Sequence, residues 1–270
     1  MPELPEVETI KNELLPQVVG RKVTGITLFW EKMVVRPSVA EFRARLIGQE
    51  VSGVGRRGKY LLFYLRSGEV LVIHLRMTGS LLLETVSSDN RFTRAIIHLD
   101  GISINFRDPR KFGVMWLAEN ANELDSRLGP EPFGDEFTSE ILGGLLRNRT
   151  ASVKALLLDQ SLIAGIGNMY ADEALFATGI HPLRSGGSLS RDEIKRLYHS
   201  IRQVLQEAIG NKGASVQNYF RPGGETGRAH HEFKVAHRGG NPCFTCGTTI
   251  QRIPIRNRGS YFCPKCQPEP

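Results

Sequence analysis

Apolar residues along the first fifth of the chain recur with a helical period that then gives way to a strand-like one. Val7, Ile10 and Leu14 lie on one helical face, and Pro16 is expected to stop the run. Pro5 suits the first turn of such a helix, where its missing N–H would be unpaired anyway. Short runs rich in Val, Ile, Leu and aromatics follow at 22–30, 50–56, 60–66, 70–76, 94–99 and 102–106. Turns such as Ser67-Gly68 and Asp100-Gly101 split them. One helix interrupts, with Ser38 and Glu41 reading as a capping box and Gly48 as its stop. Many short strands at near-regular spacing predict an antiparallel sandwich.

The texture changes at Leu128-Gly129-Pro130-Glu131-Pro132. Helices are predicted beyond it at 139–147, 153–159, 169–178 and 190–209, the last opened by a second capping box of Ser190 and Glu193. The fold class is therefore α+β, a β-rich part followed by a helical part. No long apolar run appears, so no membrane span is expected. The absence of a signal-peptide pattern, together with cysteines confined to two metal-spaced pairs, points to a reducing cytoplasm.

Charge changes the picture by where it sits. The chain carries 35 Lys and Arg against 28 Asp and Glu, a net +7. Between residues 211 and 266, nine basic residues face Glu225 and Glu232, so this segment alone accounts for the excess. A basic lobe on a neutral body suits a polyanion, most often nucleic acid. The same segment holds all four cysteines, Cys243-x-x-Cys246 and Cys263-x-x-Cys266, sixteen residues apart. That is the spacing of a closed, four-thiolate structural zinc, which would stiffen the intervening hairpin and present Arg252, Arg256 and Arg258. Redox dithiols or a disulfide pair are the competing readings.

Candidate chemistry begins at the N-terminus. Removal of Met1 would expose Pro2, a secondary amine that condenses with a sugar aldehyde carbon to a charged iminium. An α-amino group titrates at about 7.7–8.0, leaving a nucleophilic fraction near neutrality. Glu3 stands beside it, both projecting from the start of the first helix; a frayed terminus with two capping acids is the alternative. Gly165-Ile166-Gly167-Asn168 opens a helix, with Asn168 as its N-cap and its N–H groups as a phosphate site, or else forms a plain turn. Arg149 and Lys154 lie just upstream. Basic clusters end several strands, at Arg56-Arg57-Gly58-Lys59 and around Arg107-Asp108-Pro109-Arg110. Met77 and Phe112 sit on such turns, as satellite core residues or as wedges between bases.

Jointly these stretches resemble the formamidopyrimidine-DNA glycosylases, bacterial repair enzymes that remove oxidised purines such as 8-oxoguanine. The likeness is carried by Pro2-Glu3-Leu4-Pro5-Glu6-Val7-Glu8-Thr9, Gly58-Lys59-Tyr60-Leu61, the turn from His74 through Met77 to Ser80, and Asp108-Pro109-Arg110-x-Phe112-Gly113. Gly167-Asn168-x-Tyr170-Ala171-Asp172-Glu173 and the ending Tyr261-Phe262-Cys263-Pro264-x-Cys266 complete it. The resemblance implies a β-sandwich over 1–130, a helix–two-turn–helix domain over 131–222 and a zinc finger over 235–268, with DNA in the cleft between the lobes.

It further implies a monomeric glycosylase and lyase acting on double-stranded DNA with oxidised bases or abasic sites. Pro2 would attack the sugar, Glu3 would act as acid–base group, and Lys59 and Arg258 would serve β- and δ-elimination. Met77, Arg110 and Phe112 would fill the gap left by a flipped nucleotide, and Asn168, Lys154 and Arg258 would hold phosphates. Leu4 favours this branch over the endonuclease VIII type, which usually has Gly there. A non-catalytic zinc-finger DNA binder is the other class considered. The chain departs from the pattern at Phe92, where many members have His, at Val235-Ala236-His237-Arg238, and in the loop 218–231, which bears on lesion preference.

Overall fold

In the computed structural model, which describes residues 1–84, 91–216 and 219–269, the first helix outruns its expected stop. α1 spans Leu4–Val18 and buries Val7, Ile10, Leu14 and Val18 on one stripe. Pro16 lies inside it. Both Pro16 and Asn12, whose carbonyl loses its partner, are exposed, so water takes the bond while the buried Val18 holds the last turn.

Eight strands follow: β1 Val23–Leu28, β2 Val51–Arg57, β3 Tyr60–Leu65, β4 Val70–His74, β5 Ser80–Glu84, β6 Thr93–Leu99, β7 Ile102–Arg107 and β8 Val114–Ala118. They form two antiparallel sheets, ordered β1-β6-β7-β5 and β2-β3-β4-β8. The sequence pattern locates six of the eight. It misses β5 and β8, the edge strands that close one side of each sheet. Helix α2, Val39–Leu46, starts where Ser38 Oγ accepts the Glu41 N–H at 3.3 Å, and Gly48 follows at φ 88°. One apolar cluster drawn from both sheets, α1 and α2 fills the sandwich, including Leu14, Phe42, Phe63, Ile73, Ile97 and Phe106.

Residues 1–126 and 209–230 form one compact unit; residues 127–208 and 231–270 form another. The segment 209–230 joins the first because α1 holds it. Glu6 Oε1 accepts the Ala214 N–H at 2.8 Å, Arg221 pairs with Glu13 at 2.7 Å, and Tyr219 enters the sandwich core. The second unit contains α3 Ser139–Leu146, α4 Val153–Leu157, α5 Asn168–Thr178 and most of α6, Arg191–Gly210. The hairpin of β9 Gln251–Ile255 and β10 Arg258–Phe262 completes it. Ser190 and Glu193 make the expected reciprocal cap of α6, at 2.8 and 3.2 Å. No helix among the described residues is long and apolar enough to cross a membrane.

Candidate active site and nucleic-acid interface

Pro2 and Glu3 do not project from α1 as expected; both are buried. Glu3 is the N-cap of the helix, and its carboxylate and that of Glu6 form a capping box with the backbone, the Glu3 N–H reaching Glu6 Oε2 at 2.7 Å. The start of the chain is thereby fixed, and an amine there loses little conformational freedom on reacting. One turn on, Glu8 Oε2 accepts from Arg56 Nε at 2.8 Å, and Arg56 Nη1 reaches the Gly58 carbonyl at 3.0 Å. Gly58, at φ 57°, is the first central residue of the two-residue turn between β2 and β3, and Lys59 is the second. So α1 is tied, through Glu8 and Arg56, to the turn that carries Lys59. That lysine is buried too. Burial, then the charges of Arg76 and Lys59, push the nearby His74 imidazole down to about 3, leaving it neutral. Its Nδ1 accepts the Arg76 N–H at 3.0 Å, and its ring packs edge-on against Tyr60 at 4.5 Å.

Asp108 organises the two turns expected to meet DNA. Its carboxylate is buried and accepts from the Thr78 hydroxyl, the Arg110 N–H (3.2 Å), the Phe112 N–H (2.6 Å) and the Gly113 N–H (2.7 Å). Four donors on one carboxylate bind the turn after β4 to the turn after β7. Gly113 is obligatory there, because a Cβ would meet the Phe106 ring at 2.5 Å. The product is a tight surface group. The Arg110 guanidinium lies 4.6 Å from the Phe112 ring centre and 3.4 Å from Met77 Sδ, while Met77 and Phe112 are 47% and 46% exposed. Neither is a satellite of the core. Phe92, beside the same loop, receives the Asp108 N–H on its carbonyl at 2.9 Å.

In the second unit, two expectations require correction. Asn168 is not the cap of α5: Gly167 occupies that position, and the Asn168 amide donates to the Gly259 carbonyl at 2.8 Å. Lys154 is not a surface phosphate contact. Its side chain is 0% exposed, and Nζ sits 2.6 Å from Asp172 Oδ1. Burial pushes Asp172 up to about 7, against the pull of Lys154 and of the Tyr261 N–H, which reaches Oδ2 at 3.1 Å. The next residue, Glu173, accepts the N–H groups of Lys234, Val235 and Ala236 at 2.8–2.9 Å. Asn168, Asp172 and Glu173 therefore attach α5 to the hairpin and to the loop before it. Arg149 stays exposed after α3, with Nε on the Leu145 carbonyl at 2.8 Å.

The four cysteines converge as their spacing predicts. Their sulfurs all lie within 4.8 Å of one another, with Cys243–Cys266 at 3.9 Å and Cys246–Cys263 at 3.4 Å. A tetrahedron of thiolates about 2.3 Å from zinc has edges of about 3.8 Å, so the set fits one structural zinc with no open position. Arg256 and Asn257, both at positive φ, make the two-residue turn of the hairpin (46° and 59°), and the exposed Arg258 opens β10. Gly259 lets the Arg252 side chain lie across the ribbon, 2.5 Å from where a Cβ would stand.

Sequence reasoning left Asp108, Asp172 and Glu173 without roles. Acids inside motifs otherwise read as basic or glycine-rich were the available signal, since a carboxylate beside exposed backbone donors commonly binds them.

Residues 1–115 match the family described as Formamidopyrimidine-DNA glycosylase N-terminal domain. Residues 128–219 match the corresponding H2TH domain, and residues 240–268 the zinc finger found in FPG and IleRS. A formamidopyrimidine-DNA glycosylase of Chloroflexus aggregans is 47% identical over 99% of this chain and 98% of its own. One of Symbiobacterium thermophilum is 42% identical, over 100% and 90%. Among solved structures, a Lactococcus lactis FPG mutant in complex with Fapy-dG-containing DNA superposes with a TM-score of 0.94. The identity is 35%, covering 99% of this chain and 100% of that one. The Lactococcus lactis Fpg complex with abasic-site DNA gives 0.93 at the same identity, over 99% and 100%.

Proposed function

Since the chain belongs to the formamidopyrimidine-DNA glycosylase family, we propose that it is a bifunctional DNA glycosylase and abasic-site lyase of base excision repair, excising oxidised purines. The observation that carries the reading is the anchored N-terminus. Pro2 and Glu3 are buried at the start of α1, and α1 is tied through Glu8 and Arg56 to the turn that bears Lys59.

With Met1 removed, the lone pair of the Pro2 nitrogen attacks C1′ of the damaged nucleotide. The bond from C1′ to the base breaks and the base leaves with the electron pair and a proton. Glu3 handles the proton at the opening sugar ring, whose C1′ becomes a positively charged iminium. That charge acidifies the neighbouring C2′–H, whose loss expels the 3′ phosphate; a second elimination expels the 5′ phosphate. Lys59 and Arg258 serve these two steps, and water finally hydrolyses the iminium to restore Pro2.

Reaching C1′ requires the nucleotide to leave the stack, at a cost of a few kcal/mol. Met77, Arg110 and Phe112, exposed together on turns fixed by Asp108, fit the role of filling the gap. Asn168, Arg149 and Arg258 are assigned to phosphates, whose grip carries no sequence preference. The zinc, held by Cys243, Cys246, Cys263 and Cys266, stiffens the hairpin and takes no part in the chemistry. The protein acts as a monomer.

Side-by-side excision from duplexes bearing 8-oxoguanine, formamidopyrimidine or thymine glycol tests the substrate class. Faster release of the two purine lesions is expected. Preferential release of thymine glycol would assign the chain to pyrimidine repair instead, and binding without release of any would make it a damage sensor.

A further inference from the structure

The first zinc knuckle carries a side chain that neither the fold nor the proposed chemistry uses. Phe244, between Cys243 and Cys246, is 69% exposed, more than any other large apolar residue described as exposed. The Arg238 guanidinium lies 3.5 Å from its ring centre, and Lys234 Nζ is 5.8 Å away. The arginine is held flat. Its Nη1 and Nη2 donate to the Lys234 and Pro242 carbonyls at 2.5 and 2.8 Å, and its backbone closes turns with Val235 and Asn241. The backbone of the loop that carries the ring is fixed as well, because the Gly247 N–H reaches the Cys243 carbonyl and the Cys243 N–H the Thr248 carbonyl, both at 2.9 Å. A cation lies over the ring, and most of the side chain is exposed.

We propose that Phe244, with Arg238 and Lys234, is a stacking platform for an unpaired nucleobase of a single-stranded segment. The ring sits on a metal-backed loop with a guanidinium against it and most of its surface exposed, which suits a ligand with an apolar, planar face. The immediate charges narrow the ligand further. Two cations lie by the ring; Lys234 is balanced by Glu232 at 4.0 Å and by the buried Glu173 at its backbone, so Arg238 carries the positive charge that faces a ligand. A planar π-face with a phosphate beside it is the chemistry of a nucleotide, and such platforms accept any base. A paired base offers its face only at a duplex end, or at a base step that is pried open at a cost of a few kcal/mol. An unpaired segment offers its faces without that cost, so the segment bound here is unpaired. The site is independent of the glycosylase reading: it uses none of the residues assigned to excision.

The test is fluorescence anisotropy of the zinc-loaded full chain with a labelled thymidine oligonucleotide, for wild type, Phe244→Ala and Phe244→Trp. Loss of one stack is expected to weaken binding by Phe244→Ala about 5- to 150-fold. Phe244→Trp should bind at least as tightly as wild type, with its indole fluorescence quenched by the bound bases. Equal affinity of wild type and Phe244→Ala, with zinc content unchanged, would overturn the proposal. So would an unquenched tryptophan, or wild-type binding to polyglutamate but not to the oligonucleotide, which would mark a site for acidic protein. Excision from lesion duplexes is measured separately, so failure here leaves the glycosylase reading standing.

Discussion

Replacing Lys154 by Met separates a buried structural lysine from a phosphate-binding one. The amine and the Asp172 carboxylate are both 0% exposed and 2.6 Å apart. Methionine fills most of the lysine volume, so the loss is chiefly of the charge and its hydrogen bond. Breaking a buried pair by removing one partner costs about 3–5 kcal/mol, against about 5–15 kcal/mol for a whole domain. Part of that is recovered by protonating Asp172, whose pKa burial already pushes up to about 7. The second unit should therefore melt on the order of 10 °C lower. Adding Asp172→Asn removes the stranded charge yet keeps an acceptor for the Tyr261 N–H, which now reaches Oδ2 at 3.1 Å. The double variant should regain most of the loss. Asp172→Leu in its place should regain less, by about 1–3 kcal/mol, because that buried N–H is left unmet. Calorimetric melting and hydrogen exchange at the Tyr261 amide read both effects. Wild-type melting of Lys154→Met, combined with a salt dependence of DNA binding shallower by about one phosphate, would refute the buried-pair account.

Other consequences follow from individual groups. His74, about 3 in the fold and 6.5 unfolded, binds fewer protons when folded, so its contribution to the stability of the first unit is full above pH 6.5 and is lost as pH falls toward 3. His74→Gln should flatten that part of the denaturation profile; an unchanged slope would show the imidazole is not responsible. Asp108→Asn sets an amide NH2 against backbone donors and should cost about 2–4 kcal/mol, with the Arg110–Phe112 group loosened and lesion-duplex affinity reduced. Wild-type urea stability for that variant would contradict the role given to Asp108. Stripping zinc with a chelator should abolish DNA binding while the first unit unfolds at its usual midpoint; intact binding without metal would remove the finger from the interface.

Much of this molecule was legible in its sequence, for reasons specific to each part. The zinc ligands were, because a tetrahedron of sulfurs imposes short, fixed spacings on the chain. Six strands were, because each combines β-branched or aromatic residues with a glycine turn. β5 and β8 were not: Ser80–Glu84 and Val114–Ala118 are short apolar runs without alternation, set against turns whose chemistry drew the reading toward loops. Pro16 was read as a stop because sequence cannot tell that the freed carbonyl faces water. Lys154 looked like a surface cation because its partner lies eighteen residues on, in another helix. The grouping of Met77, Arg110 and Phe112 was expected from resemblance; the Asp108 carboxylate that gathers their turns was not.

The central claim is that the Pro2 nitrogen bonds to deoxyribose. Borohydride reduction of the enzyme on a lesion duplex, followed by proteolysis and mass spectrometry, tests it most directly. The account predicts a sugar remnant on an N-terminal peptide that begins at Pro2, and loss of the adduct in Pro2→Gly. An active protein that retains Met1, or an adduct mapped to a lysine, would contradict it.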